Sequence, residues 1–472
     1  MTSADAFIGR PRKTAGAAPR LHPLAKGAGF SVLILFLIPL LVPDVMSLQA
    51  GSLRLPPLRV GIIVFFIPAL VMFFSRNGGR LYNFDWLYFG FAIWTMMAII
   101  SNRGLSGSVE KVGVVLLEYV VLYLLIQGAI RRVSQIRFFI WSIIGIIVVL
   151  GALAIVEALT HRYFLMQAAY TLAGRGVYIG PFFGQVGNDV RLGMMRATSI
   201  FNHPILYGLF CGVFFSYAWY LPRTLFGRIF WGGAVAVATF FSLSAGPLMA
   251  LLVQFIVVGV EVTTRKLPNR APILLWLTAG FLMLVQLVSE SGIYRLVQLV
   301  AMDPGSTSYR RAIWQNGIDD VMRNPIFGIR PEDWTRPGWM SPSMDNQWLL
   351  QMITGGIPSL ILLALCLIVL TRRLFRRPDA EIPPEIAALR RAWAYSILAM
   401  VVCGTTVAFF EKAQPLFAIL VGLGGVTFRL LDDWERAATP LARTPDRAAR
   451  QAPDAPEANE PAPAPGRRRS VL

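Results

Sequence analysis

Two polar stretches of this chain gather the residue types that could do chemistry. The first reads RLGMMRATSIFNHPILYGLF from Arg191 to Phe210 and sets Arg191, Arg196, Asn202 and His203 just ahead of Pro204. The second reads SYRRAIWQNGIDDVMRNPIFGIRPEDW from Ser308 to Trp334, led by Arg310 and Arg311 with Trp314 close behind. It is followed by Met344-Asp345-Asn346-Gln347-Trp348, which brings a carboxylate and two amides to the mouth of an apolar run. Guanidinium groups keep their charge at any relevant pH and carry forked donors that match phosphate oxygens. A carboxylate or imidazole beside them can take a proton from a hydroxyl. Each residue also has a structural use. Asp345 suits a helix N-cap, Arg310 and Arg311 suit anchoring a helix to lipid phosphates, and a lone His beside Pro can simply bond a loop carbonyl.

The elements that must position these residues are membrane helices. The chain has 472 residues, 55% of them hydrophobic and only 15% charged, with a mean hydropathy of +0.58. That is too apolar for a soluble domain of this size. Lipid admits only helices or closed barrels, and no alternating ten-residue strands occur, so the expected class is an all-α polytopic membrane protein. Apolar windows predict about twelve spans, near 28–47, 59–75, 85–101, 112–130, 137–158, 204–221, 228–243, 246–262, 271–289, 345–370, 391–409 and 413–430. The pairs 228–243 with 246–262 and 391–409 with 413–430 are joined by short turns and read as helical hairpins.

Basic residues fall in alternate connections: Arg10, Arg12, Lys13, Arg20 and Lys26, then Arg76 and Arg80, Arg131 and Arg132, Arg223 and Arg228, Arg265, Lys266 and Arg270, and Arg372 to Arg377. The positive-inside rule puts these in the cytoplasm, with both termini. Segments 159–203 and 290–344 then face outward, into the periplasm of a bacterium, and the membrane is the inner one. Residues 1–27 read as a disordered basic arm, 28–430 as the membrane domain, and 431–472 as a disordered Ala/Pro-rich cytoplasmic tail. No cleavage site follows the first apolar stretch, so a removable signal peptide is not expected.

The formal charge of +18 lies largely in topogenic loops, so nucleic acid is not an expected partner, whereas membrane lipid is. Cys211, Cys366 and Cys403 fall inside spans as small apolar fillers, and no disulfide is expected. The motifs HExxH, CxxC and Walker A are missing, so no metal and no nucleotide cofactor is expected. Ala312, Ile313, Ile318, Val321 and Met322 mark one face of an amphipathic helix within the second outer segment, stopped by Asn324-Pro325. Glu118 stands mid-span, Glu157 near an outer border where solvation is its default, and Glu411 in an outer turn. Trp86, Tyr88, Trp219, Tyr220 and Trp231 read as interfacial anchors.

From Arg191 to the twelfth span the chain resembles the bacterial O-antigen ligase and Wzy-type polysaccharide polymerase superfamily, in its exopolysaccharide-polymerase branch. The resemblance rests on Arg196 before Asn202-His203-Pro204, on Arg310 or Arg311 with Trp314, on Asn324-Pro325 with Gly328, and on Asp345-Asn346 followed by Gly355-Gly356. It implies a GT-C-like fold and transfer of glycan from an undecaprenyl-diphosphate carrier to an acceptor hydroxyl, without nucleotide sugar or metal. Two departures stand out. The family places His where this chain has Asp345, and Ser-Arg where it reads Ser244-Ala245-Gly246.

Breaking a glycosyl-diphosphate bond leaves negative charge on the diphosphate, which fixed cations stabilise as it develops. Arg191, Arg196, Arg310 and Arg311 are the candidates, with Asn346 and Trp314 as further substrate contacts. Asp345 is the first choice of base and His203 the second. Loss of the family's His favours a polymerase over the ligase. A chain-length regulator and export machinery are the partners such a polymerase would have. The competing classes are a transporter or flippase, which would show repeats and intramembrane charges, and a nonenzymatic envelope scaffold.

Overall fold

The computed structural model of the chain describes residues 28–50, 53–75, 80–181, 189–264, 304–341 and 343–449. The basic arm 1–27, the expected span 271–289, Arg265, Lys266, Arg270 and the end of the tail lie outside the described residues. The described α-helices, numbered in chain order, are α1 Ala28–Leu41, α2 Pro57–Val64, α3 Phe66–Phe74, α4 Asn83–Val115, α5 Leu122–Ala129, α6 Val133–Thr160, α7 Phe164–Leu172, α8 Pro204–Gly212, α9 Phe215–Tyr220, α10 Leu225–Phe240, α11 Ala245–Thr264, α12 Pro304–Arg323, α13 Gln347–Leu374, α14 Pro384–Gly404 and α15 Ala413–Ala449. Among the described residues, strand is confined to two small hairpins, β1 Leu48–Ala50 with β2 Leu53–Leu55, and β3 Val190–Arg191 with β4 Met194–Met195.

Six helical stretches among the described residues are long and apolar enough to cross a membrane, or seven if α2 and α3, bent by 47°, form one. The chain is thus an all-α polytopic membrane protein, whose described residues hold fewer full-length spans than the twelve predicted. The physical reasons are local. Helix α1, described over 14 residues, has Pro39 inside it and Pro43 just beyond. Between Pro204 and Tyr220 the helix breaks in two, and α10 has 16 residues. The expected spans 85–101 and 112–130 are the two arms of one continuous helical run, Asn83–Ala129, which counts as a single stretch.

That run doubles back on itself. Gly104 leaves helical geometry (φ 70, ψ 170), and a π-helical turn occupies Leu116–Val121. The Tyr123 hydroxyl donates to Asp85 at 2.5 Å, and the Tyr88 and Tyr123 rings stack at 4.5 Å, so the first and last turns are neighbours. Arg429 of α15 closes this corner, donating to Asp85 at 2.7 Å and to Gln127 at 2.9 Å. A charge so deep must be paired, and this one is. Tyr88 is therefore fully buried rather than an interfacial anchor, and Tyr220 donates to Glu261 of α11.

Glu118 of the π-helical turn accepts from Arg59 at 2.6 Å, the arginine partner that its cost in an apolar setting demands. The three cysteines are buried thiols. The helix bundle has two chemically different ends. One carries Asp44, Arg103, segments 161–181 and 189–203, α12 and the turn 405–412; the other carries Arg80, Arg131, Arg223 and Arg390. Helix α15 leads out of one unit of the chain, Met1–Leu430, into a second, Leu431–Leu472, within which Arg436 pairs with Asp432 at 2.6 Å.

Candidate active site

The N-P-x-x-G and Gly-Gly motifs meet, and they build structure rather than chemistry. Helix α13 is interrupted at Gly356 (φ 69, ψ 176), and the segment after α12 plugs the gap. Ile329 N donates to Ile353 O at 2.7 Å and Ile357 N to Pro325 O at 2.8 Å, satisfying backbone groups that a broken helix would leave bare. A Cβ on Gly356 would collide with the Ile326 carbonyl, and one on Gly328 (φ 63) with that of Ile353. Both positions need glycine for its dihedral and for its missing side chain. Trp94 donates to Gly355 O at 2.9 Å and stacks on Phe327, locking α4 to the same junction.

This junction fixes α12 above the start of α13. Ile313 and Val321 pack under α12 with Leu349 and Ile353, and Trp314 packs against the edge of that cluster. Met322, expected on the buried face, is 67% exposed. Successive helical residues point about 100° apart, and the two arginines divide accordingly. Arg310 is half-buried and donates through Nε to Thr406 O at 3.1 Å, whereas Arg311 is exposed. The structure so separates Arg311 and Trp314 from the group around Arg310.

Asp345 is half-buried close to Arg310. Burial pushes its carboxyl above the ordinary range and Arg310 opposes, with burial prevailing. The helix cap is its neighbour: Asn346 Oδ1 accepts from Trp348 N at 3.1 Å and Leu349 N at 3.0 Å, while Nδ2 donates to Thr405 O at 3.0 Å. These bonds make Asn346 the cap that positions the start of α13. Asp345 is left as the carboxylate at the mouth of the helix.

The second group forms on the β3–β4 hairpin. Leu192 (φ 53) and Gly193 (φ 74) both take left-handed backbone in its two-residue turn, the geometry that matches strand twist. The turn brings Arg191 and Arg196 together, and Arg196 N donates to Asp189 O at 2.8 Å. Arg191 reaches the start of α11, donating to Leu243 O at 3.1 Å. Arg196 is only 4% exposed. Burial, then the charge of Arg191, push its guanidinium down to about 10 despite Tyr163 and Asp189. Two cations held together in a partly dry site attract an anion.

His203 caps α8, its Nδ1 accepting from Ile205 N at 3.1 Å. Burial first, then Arg196 and Arg191, push it down to about 3, so the imidazole is neutral at pH 7. With Nδ1 occupied, the network assigns the proton to Nε2. His203 can donate a hydrogen bond there, and its lowered basicity leaves Asp345 ahead of it as the base.

The two groups flank one turn, residues 405–412. Thr405 and Thr406 offer carbonyls to Asn346 and Arg310, and Phe409 N donates to Gln347 Oε1 at 2.7 Å. On the other flank the Phe410 ring meets His203 edge-on at 5.8 Å, and Asn202 donates to Glu411 at 3.1 Å. Lys412 is buried across Phe201, with its Nζ 2.9 Å from Val42 O and 3.7 Å from Asp44.

Glu157 is a supporting residue whose border position suggested solvent. It is instead fully buried, and its Oε2 accepts from Ser199 N at 2.9 Å and Thr198 N at 3.3 Å. Its place near the end of α6, facing an arginine-bearing segment, was the signal that could have found it. Asp44 and Lys412 had none, because they are partners far apart in sequence.

A helical membrane protein with guanidinium groups and a raised carboxyl gathered at one end is the class that fold and site define. Residues 233–364 match the family model described as O-Antigen ligase, in agreement with the superfamily resemblance drawn from the motifs. The match runs from the middle of α10 to the middle of α13, with Arg310, Asp345 and both glycine motifs; Arg191, Arg196 and His203 precede it. No curated protein matches the chain.

Proposed function

We propose that this protein is a lipid-linked-oligosaccharide glycosyltransferase that polymerises undecaprenyl-diphosphate-linked repeat units of an exopolysaccharide or O-antigen. It works at the periplasmic face of the bacterial inner membrane, on a GT-C-like scaffold with both termini in the cytoplasm. The observation that carries the reading is the placement of Arg191 and Arg196 on one flank of turn 405–412 and of Asp345 on the other.

In this mechanism the two guanidinium groups bind the diphosphate of the donor. They take up the charge that develops as the bond between the anomeric carbon and the diphosphate oxygen breaks. His203 Nε2–H is a further donor toward the same anion. Asp345 accepts the proton of the acceptor hydroxyl as its oxygen bonds to the anomeric carbon. A carboxyl raised by burial is a better base near neutral pH than an ordinary one. Arg310 holds it in place and limits that rise. The family's Ser-Arg is Ser244-Ala245 here, and Arg191, anchored on Leu243 O, supplies a cation to the same helix start. A chain-length regulator and export machinery would be its partners.

The ligase is the second reading, favoured by the description of the matched family model. Deleting the gene and resolving envelope glycans on gels separates them. Under the polymerase reading, long polymer vanishes while single repeat units stay attached; loss of even the single capped unit indicates ligation. Repeat units trapped on the cytoplasmic side would refute both and indicate a flippase.

A further inference from the structure

A second chamber opens at the same end of the bundle, with a volume of about 470 Å³, within the usual range for ligand sites. Gln347, Leu350, Gln351 and Thr354, one face of the first two turns of α13, form one wall. The opposite wall is α4 on both sides of its Gly104 break, including Asn102, Glu110 and Lys111, and Phe409 and Gln414 close the remaining side. Gln347 and Phe409 belong to the same junction as Asp345 and turn 405–412, so the chamber adjoins the candidate base.

Its charge differs in kind from that of the Arg191–Arg196 pair. Arg59 is paired with Glu118 at 2.6 Å, Arg103 with Glu332 at 2.5 Å and Arg330 with Asp333 at 2.6 Å. Lys111 lines the chamber beside Glu110. With the cations balanced by carboxylates, a phosphate gains little there. Amides, hydroxyls and paired ions instead offer many hydrogen-bond donors and acceptors, while Ile99, Tyr119, Leu350 and Phe409 offer apolar faces. A ligand with hydroxyl edges and C–H faces matches both.

We infer that this chamber binds an uncharged stretch of saccharide, namely the acceptor glycan, and presents its terminal hydroxyl to Asp345. The inference rests on the glycosyl-transfer reading and adds where the acceptor lies. Acceptor and donor both carry sugars; the chamber's position on the Asp345 flank, across the turn from the arginine pair, assigns it to the acceptor.

The test uses the full-length protein in lipid nanodiscs. The donor is lipid-linked oligosaccharide extracted from a deletion strain, and the acceptor is the oligosaccharide released from that lipid by mild acid. Saturation-transfer NMR reads binding of the released oligosaccharide, and transfer kinetics read KM for each substrate. Leu350→Trp fills the chamber, and Gln414→Leu removes one polar group at nearly constant volume. Gln414→Leu should weaken binding and raise acceptor KM about fivefold, the scale of one hydrogen bond. Leu350→Trp should abolish binding, and neither variant should move donor KM.

Unchanged oligosaccharide binding in both variants overturns the inference. A rise in donor KM alone overturns it too, by assigning the chamber to donor sugars. Wild-type protein that binds the oligosaccharide with variant-sensitive affinity but transfers nothing refutes the glycosyl-transfer reading while retaining a saccharide site in the chamber.

Discussion

Arg196 offers a test in which stability and activity should move in opposite directions. The side chain is buried beside Arg191, and its guanidinium is pushed well below its ordinary value, to about 10. At about 1.4 kcal/mol per pH unit, the folded state bears on the order of 3 kcal/mol to keep this group charged. The sign is fixed by linkage: a base lowered on folding binds protons more weakly in the native state. The cost is therefore complete at all pH values below about 10 and is relieved only as pH rises above that toward the ordinary guanidinium value. A bound diphosphate would offset it at neutral pH, which is a reason for a protein to tolerate such a pair.

Arg196→Met keeps the length of the apolar stem and removes the charge. Replacing a costly buried ion with a packed hydrophobe is commonly neutral or stabilising by about 1–4 kcal/mol. The variant should consequently melt at or above the wild-type temperature in nanodiscs, with the same difference at pH 6 and pH 9. Transfer should fall about 10²–10³-fold, the loss expected when one preorganised donor to a developing anion is removed. Arg196→Lys restores a charge without the fork and should recover only part of the activity. A variant that unfolds earlier than wild type yet polymerises normally would refute the reasoning, since Arg196 would then be a structural cation.

Other residues give sharper expectations of single quantities. Asp345→Asn should lower the rate about 10²–10⁴-fold without changing the melting temperature appreciably. The wild-type rate should fall as pH drops through a carboxyl lying above the ordinary range, and Arg310→Gln should move that acid limb higher still, as read in pH–rate profiles. Gly356→Ala forces a side chain into the Ile326 carbonyl at a left-handed dihedral and should cost on the order of 2–4 kcal/mol, visible in thermal unfolding. Glu157→Gln should loosen the Thr198–Ser199 backbone by about 1–3 kcal/mol and raise donor KM through Arg196, with acceptor KM unchanged.

The helical membrane class was legible because it depends on composition and on runs of apolar residues, both local properties. The number of full spans was not, because Gly104, Pro39 and the break after Gly212 act on helix geometry without changing hydropathy. Arg191, Arg196 and His203 stood together in sequence and stand together in space, since a short hairpin and a helix cap connect them. Arg310 and Arg311 were equivalent by type, and only the phase of α12 distinguishes them. The N-P-x-x-G and Gly-Gly motifs announced themselves by composition, but their purpose emerges only when Gly328 and Gly356 are seen to admit each other's backbone. Glu157 and Lys412 depend on contacts between segments far apart in the chain, which no window of sequence contains.

The turn 405–412 explains how residues from three separate segments can act on one bond. Its backbone receives Arg310, Asn346 and Gln347 on one flank, and its side chains Phe410 and Glu411 meet His203 and Asn202 on the other. Backbone groups of a turn make firm anchors because their positions follow from chain geometry and not from rotamers. Arg191 and Arg310 are each held by one such carbonyl, Leu243 O or Thr406 O, and a guanidinium carries several donors on a planar fork, so an anchored one can still face an anion. The Arg191–Arg196 pair and Asp345 can therefore be held on opposite flanks of the turn. That separation matters chemically, because a carboxylate in contact with Arg191 and Arg196 would neutralise the charge required by a leaving diphosphate. It would also lose its own basicity to the same ion pair.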